Sequence, residues 1–180
     1  MSEVLIELCA GTEPERWWQD GRTWYRQDGA FHEDIDEVMP LPFYLSSQQD
    51  ESVDEYVANH IVEHFNFLPP EKIERPIGSQ RENYNTSVDE ILGDIYRSLK
   101  PGGKIHIEVP NIAGSSRAYH NGEITGEQLC EYIFGGSENK YNQHFIGFTP
   151  ESLQRRLEKH GFIGNVNDIG LVVVADFVKS

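Results

Sequence analysis

Two histidines and a glutamate lie close together in one short segment, Asn59-His60-Ile61-Val62-Glu63-His64. If this segment is helical, the side chains of His60, Glu63 and His64 share one face. A neutral imidazole accepts a proton at neutral pH, so the segment suits acid–base chemistry. Histidine and glutamate at this spacing also suit metal binding. The sequence favours an active-site lining role for His60 and a bracing role for Glu63 at the top of a sheet, and it leaves a metal open.

A turn of small residues, Cys9-Ala10-Gly11, follows an apolar run at residues 3–8. Small residues allow the backbone to approach a bound nucleoside closely, although a positive φ is costly for Cys9. Asp28 ends a second candidate strand, where doubly wound folds use an acid to accept hydrogen bonds from ribose hydroxyls. The pattern therefore predicts a nucleoside-binding cleft, with an ordinary solvated loop acid as the alternative interpretation of Asp28.

The elements that must position these residues alternate between strands and helices. Residues 87–99 have apolar positions at helical spacing with Thr86 or Ser87 as N-cap, and Thr149-Pro150 is typical of a helix start. Alternation predicts an α/β fold with a largely parallel sheet, and two final strands suit an antiparallel edge. Predicted strands lie at residues 3–8, 23–27, 31–38, 52–59, 104–109, 162–167 and 171–178; further helices lie at 60–65 and 127–134, and residues 101–103 form a turn.

Composition limits the classes of protein that need to be considered. A chain of 180 residues suits one domain, here residues 1–180. The net charge is −15, from 30 acidic and 15 basic residues, which disfavours nucleic acid as the main partner. No apolar run approaches the length of a membrane span, the N-terminus lacks the basic region of a signal peptide, and two cysteines fit a reducing compartment. We expect a cytoplasmic protein with no membrane partner.

The segment RSLKPGGKIHIEVPN at residues 97–111 resembles the LKPGG-strand segment of class I S-adenosylmethionine-dependent methyltransferases. Residues 5–12 resemble the first motif of that family, with Cys9 where its first glycine is usual. Residues 34–43 resemble its acid-then-Leu-Pro-Phe segment, and His60-x-x-Glu63-His64 resembles its fourth motif. Residues 144–149 and 157–162 resemble its later part, which includes the acceptor pocket. The resemblance implies a Rossmann-like fold with a mostly parallel, seven-stranded sheet.

The same resemblance implies transfer of a methyl group from S-adenosylmethionine to a small-molecule acceptor. It places Asp36, in preference to Glu37, near the adenine. It also allows a divalent metal among His60, Glu63, His64 and His144, which would orient vicinal hydroxyls of an acceptor and lower their pKa; no metal is assigned. The implied catalytic residues are His60, His64 and His144, and the implied cofactor-binding residues are Glu7, Cys9, Ala10, Gly11, Asp28, Asp36 and Asn59.

Two other classes of protein compete with this interpretation. His-x-x-Glu-His is also a zinc-protease pattern, but that pattern needs a long helix, and Pro69-Pro70 stops this one early. A non-catalytic binding module with the same fold is the other alternative, left open by Cys9 and the acidic composition. An insertion at about residues 67–86, poor in apolar side chains, is predicted to be a mobile loop at the rim of the site.

Overall fold

A computed structural model of the chain describes residues 3–10, 21–30, 33–68, 85–136 and 142–180. Its strands are β1 (Leu5–Leu8), β2 (Tyr25–Asp28), β3 (Glu37–Val38), β4 (Val53–Asn59), β5 (Leu99–Pro110), β6 (Phe162–Ile169) and β7 (Val172–Lys179). Its α-helices are α1 (Leu41–Ser47), α2 (Val88–Ser98), α3 (Ile112–His120), α4 (Gly126–Phe134) and α5 (Pro150–Lys159). A 3₁₀ turn, Val62–His64, follows β4.

The strands form one seven-stranded sheet with the order β3-β2-β1-β4-β5-β7-β6. The pairs from β3 to β5 are parallel, whereas β7 is antiparallel to both β5 and β6. The prediction of an α/β, mostly parallel sheet with an antiparallel C-terminal edge is confirmed. Strands β2 and β3 are added on one side of β1, whereas β4 and β5 are added on the other, so the strand order reverses between β1 and β4. Open α/β sheets bind their ligands at such a point.

The main core lies on one face of the sheet, under α1, α2 and α5. Helix α2 begins with a capping box, in which the Ser87 hydroxyl accepts the Glu90 N–H and the Glu90 carboxylate accepts the Ser87 N–H. Its inner face is fully buried through Ile91, Leu92 and Ile95. Helix α5 has Thr149 as N-cap and Pro150 in its first turn, as predicted. Local capping and apolar spacing thus account for both helices.

Five local predictions differ from the structure. Residues 101–103 bulge within β5, where the register with β4 shifts and Gly102 has a φ of 75°, so they are not a separate turn. Residues 60–65 hold only the 3₁₀ turn, and the described part of the third predicted strand, residues 33–38, pairs only at Glu37–Val38. Helices α1 and α3 were not predicted; Pro42 lies in the first turn of α1, where a missing N–H costs nothing. Residues 69–84 of the predicted insertion lie outside the described residues.

None of the helices in the described ranges has the length and apolar character needed to span a bilayer.

Candidate active site

A cleft of about 420 Å³ lies at the carboxyl ends of β1, β2 and β4. These strands are parallel neighbours, so the residues that follow them meet at one edge of the sheet. The structure therefore brings together three residues that are far apart in sequence, Cys9, Asp28 and His60. The full lining is Cys9, Asp28, Gly29, Ala30, Pro40, Leu41, His60, Ile61, His64 and Phe65.

The turn after β1 is held by Gln27, which the sequence analysis did not single out. Its backbone oxygen accepts the Ala10 N–H at 3.0 Å, and its Oε1 accepts the Cys9 N–H at 3.4 Å. Cys9 has a φ of 48°, a conformation that is costly for a residue with a Cβ. Burial raises the pKa of the Cys9 thiol, and the carboxylates of Asp28 and Glu63 raise it further. These effects disfavour the reactive thiolate of Cys9, which forms part of the cleft wall.

We expect an alkylating reagent to distinguish the two cysteines. Cys130 is exposed on α4, whereas Cys9 is partly buried and has a raised pKa, so iodoacetamide at neutral pH should modify Cys130 first. Peptide mass spectrometry over a time course gives both rates. A Cys130→Ser variant is the control and should remain almost unlabelled; equal labelling of the two thiols in the parent protein would contradict this account of Cys9.

Glu7 is not among the residues that line the cleft, and it pairs with Arg26. The Arg26 Nε lies 3.0 Å from the Glu7 carboxylate, and only 1% and 3% of the two side chains are exposed. Arg26 also donates to the backbone oxygen of Ala10 at 2.8 Å and to that of Asp34 at 3.4 Å. Glu7 and Ala10 thus contribute to the turn through Arg26. Arg26 was missed, although an acid within a run predicted to be buried signals a nearby cation.

The remaining residues predicted to bind the cofactor lie in different places. Asp28 lines the cleft and accepts the Ala30 N–H at 2.8 Å. Asp36 lies beside Arg26 on β2, where its carboxylate accepts the Arg26 N–H, and it lines a separate cavity beside Tyr25. The expectation that Asp36 lies near an adenine in this cleft is therefore corrected, because β3 begins only after it. Asn59 ends β4, and its buried Oδ1 has no hydrogen-bond partner among the described residues; Gly11 lies outside them.

A second pocket of about 410 Å³ adjoins the cleft. His60 and His64 line both, so the two cavities meet at these imidazoles. Helix α4, whose residues are all at least partly exposed, forms one wall of this pocket. Helix α4 contributes Gln128, Glu131 and Tyr132 to the lining, and none of the three was predicted as a site residue. The lining consists of His60, Glu63, His64, Pro110, Gln128, Glu131, Tyr132, Gly135, Gly136, Asn142 and His144.

The rings of His64 and His144 meet edge to face in this pocket, with their centroids 4.9 Å apart. The His64 Nδ1 lies 3.1 Å from the Gln143 backbone oxygen, and the His144 Nδ1 lies 3.2 Å from that of Tyr132. A carbonyl oxygen can only accept, so both Nδ1 atoms carry the proton in these hydrogen bonds. Burial lowers the pKa of His144, although nearby Glu63 opposes the shift. The neutral His144 ring has its lone pair on Nε2.

Glu63 lies beside these two histidines and is 1% exposed. Neither carboxylate oxygen has a hydrogen-bond partner among the described residues, and the His60 Nδ1 lies 3.6 Å from Oε1. Ligand atoms of Glu63, His64 and His144 all lie within 4.8 Å of one another. These three residues are the group that can hold a metal. His60 lies outside it, with half of its side chain exposed and a φ of 53°.

Comparison with solved structures shows which class of fold this is. A Burkholderia thailandensis 1,6-didemethyltoxoflavin-N1-methyltransferase, solved with 1,6-didemethyltoxoflavin and S-adenosylhomocysteine, aligns over 99% of this chain and 72% of its own. The identity is 14% and the TM-score is 0.61. An Archaeoglobus fulgidus SAM-dependent methyltransferase aligns over 99% of this chain and 86% of its own, at 16% identity and a TM-score of 0.61.

Human N-acetylserotonin methyltransferase, solved with SAM, aligns over 98% of this chain and 47% of its own, at 15% identity and a TM-score of 0.58. No family model and no curated protein matches the sequence. The chain therefore has the Rossmann-like fold of class I S-adenosylmethionine-dependent methyltransferases, as predicted.

Proposed function

We propose that the protein transfers a methyl group from S-adenosylmethionine to a small-molecule acceptor. The observation that carries the proposal is the meeting of two cavities at His60 and His64. One cavity lies where this fold binds its nucleoside ligand, and the other lies under the segments after β5. A group-transfer enzyme needs such a pair of sites, with donor and acceptor in line across the boundary.

The residues of the cleft fit the proposed cofactor. Asp28 supplies a carboxylate for the ribose hydroxyls, and the turn at Cys9 brings the backbone close to the ligand. The unpaired Oδ1 of Asn59 offers a buried acceptor at the end of β4. Structural neighbours bound to S-adenosylhomocysteine or SAM support the same choice. The cofactor would supply an electrophilic methyl group, and the protein would supply alignment and exclusion of water.

His60 is the residue that we propose for proton removal from the acceptor. Its imidazole lines both cavities, and half of its side chain is open to them. The Glu63 carboxylate, 3.6 Å away, stabilises the imidazolium that forms when His60 takes the proton. His64 and His144 line the acceptor side, where they orient the acceptor. A zinc-protease mechanism on a long His-x-x-Glu-His helix loses support, because the segment forms only a 3₁₀ turn.

Calorimetric titration with S-adenosylhomocysteine tests the proposed cofactor site. Asp28→Ala should weaken binding by about 1–3 kcal/mol, the cost of leaving buried hydroxyls unpaired. Asp36→Asn is the matched control, because Asp36 lies outside the cleft and the amide oxygen can still accept the Arg26 N–H. Absence of binding in the parent protein, or equal loss in the two variants, would overturn the assignment.

A further inference from the structure

The second pocket contains a buried negative charge that lacks a compensating partner. A carboxylate removed from water costs several kcal/mol unless a cation or hydrogen-bond donors replace its hydration. Both oxygens of Glu63 lack a hydrogen-bond donor among the described residues. No lysine or arginine of the described ranges lines the pocket. His60, at 3.6 Å and half exposed, is too distant to donate a hydrogen bond. The described residues therefore leave this charge uncompensated, which favours the binding of a cation in the pocket.

The two histidines beside Glu63 are held in the orientation that metal ligands have. Their Nδ1 atoms are engaged by backbone oxygens of Gln143 and Tyr132, at 3.1 and 3.2 Å. Metal-binding histidines almost always donate one ring N–H to such an outer partner, which fixes the ring and leaves the other nitrogen as ligand. The potential ligand atoms of His64, His144 and Glu63 all lie within 4.8 Å of one another.

We propose that Glu63, His64 and His144 form a binding site for one divalent transition-metal ion. Two imidazole nitrogens and one carboxylate are a donor set found in catalytic zinc sites, which keep a further position open. Imidazole ligands favour zinc, iron, nickel or copper, whereas magnesium prefers oxygen ligands. His60 is not a ligand in this set, which distinguishes it from the four-residue group that the sequence suggested.

All three ligands line the second pocket, so an ion held by them would be accessible from that pocket. An oxygen or nitrogen of the methyl acceptor can occupy an open position on the ion, which would lower its pKa and hold it in place. This role for the metal depends on the function proposed above, but metal binding itself does not.

Zn²⁺ titration of the chelator-treated, full-length protein tests the site directly. Calorimetry should show one tight equivalent. His144→Ala should weaken binding by more than the roughly 10–100-fold that loss of an outer partner costs. His106→Ala is the matched control: this histidine lies on β5 between Asp176 and Glu108, and its loss should leave the tight equivalent unchanged. No tight equivalent, or equal losses in the two variants, would overturn the proposal.

Glu63→Gln provides a second variant that keeps the shape of the side chain. It should abolish tight Zn²⁺ binding, yet the metal-free variant should be at least as stable as the metal-free parent, because an unpaired buried charge is removed. Zn²⁺ should raise the Tm of the parent protein only. A marked loss of stability without metal would show that Glu63 has only a structural role.

Two further measurements distinguish the proposed metal site from the proposed cofactor site and from a binding site for a protonated amine. Titration with S-adenosylhomocysteine should be unaffected by His144→Ala, so the metal site and the cofactor site can fail independently. Co²⁺ should give visible absorption that is typical of a low-coordinate nitrogen and oxygen site and is lost in Glu63→Gln. If Zn²⁺ and Co²⁺ fail to bind while a simple alkylammonium ion binds in a Glu63-dependent manner, the pocket holds a protonated amine and the metal proposal is wrong.

Discussion

Replacement of Arg26 by methionine is expected to lower the free energy of unfolding by about 3–5 kcal/mol. Arg26 is 1% exposed, and its guanidinium neutralises the buried Glu7 and binds the backbone oxygen of Ala10. Methionine fills a similar volume but leaves the Glu7 carboxylate buried and uncompensated. Urea denaturation followed by circular dichroism measures the change, with the slope of the transition compared between the proteins.

The double variant Glu7→Gln with Arg26→Met is the control for this prediction. Removing both charges of a buried pair is often close to neutral, so the double variant should regain much of the lost stability. If Arg26→Met costs less than about 1 kcal/mol, the pair does not stabilise the fold in the way described. If the double variant is no more stable than the single one, the bond from Arg26 to the turn is the more important interaction.

Gly135→Ala is expected to destabilise the protein and to abolish the tight metal equivalent. Gly135 ends α4 with a φ of 75° and a ψ of 176°, a conformation that is essentially restricted to glycine and costs other residues about 1–3 kcal/mol. A Cβ at this position would lie 1.9 Å from the backbone oxygen of Asn142 and 2.9 Å from the His144 ring. The segment at residues 142–144 must therefore move, and His144 would move with it.

Gly122→Ala is the matched control, since Gly122 has a φ of 73° and nothing within 4 Å of an added Cβ. It carries the cost of a left-handed conformation without the collision. Thermal unfolding and Zn²⁺ titration of both variants separate the two effects. Equal loss of stability with intact metal binding in both would show that Gly135 does not position His144.

The residue sequence by itself determined the elements whose signals are local. Ser87 and Glu90 form a reciprocal cap three residues apart, and Thr149-Pro150 begins α5 in the same way, so neither helix depends on distant contacts for its boundaries. The alternation of strands and helices was sufficient to predict an α/β fold with a mostly parallel sheet. The strained turn at Cys9 was also readable, because a tight turn after a buried strand leaves few conformations for its residues.

Other features depended on how separate strands align. Arg26 neutralises Glu7 because β1 and β2 pair in parallel with these two residues opposite each other. Asp36 lies away from the cleft because β3 is only two residues long and its first residue pairs with Gln27. Helix α1 was not predicted, because it is short and begins with prolines; Leu41, Tyr44 and Leu45 are buried in it, and this packing outweighs local preference.

The cluster of Glu63, His64 and His144 shows most clearly where sequence and structure divide. Sequence identified each residue type and a spacing compatible with acid–base or metal chemistry. Only the tertiary structure decided that His144 joins Glu63 and His64 while His60 does not, because β5, α4 and the segment at residues 142–144 must first fold over the 3₁₀ turn. The backbone N–H groups of Phe145 and Ile146 donate to the backbone oxygen of Glu63 and make that connection. A long-range contact of this kind has no local signal in the sequence.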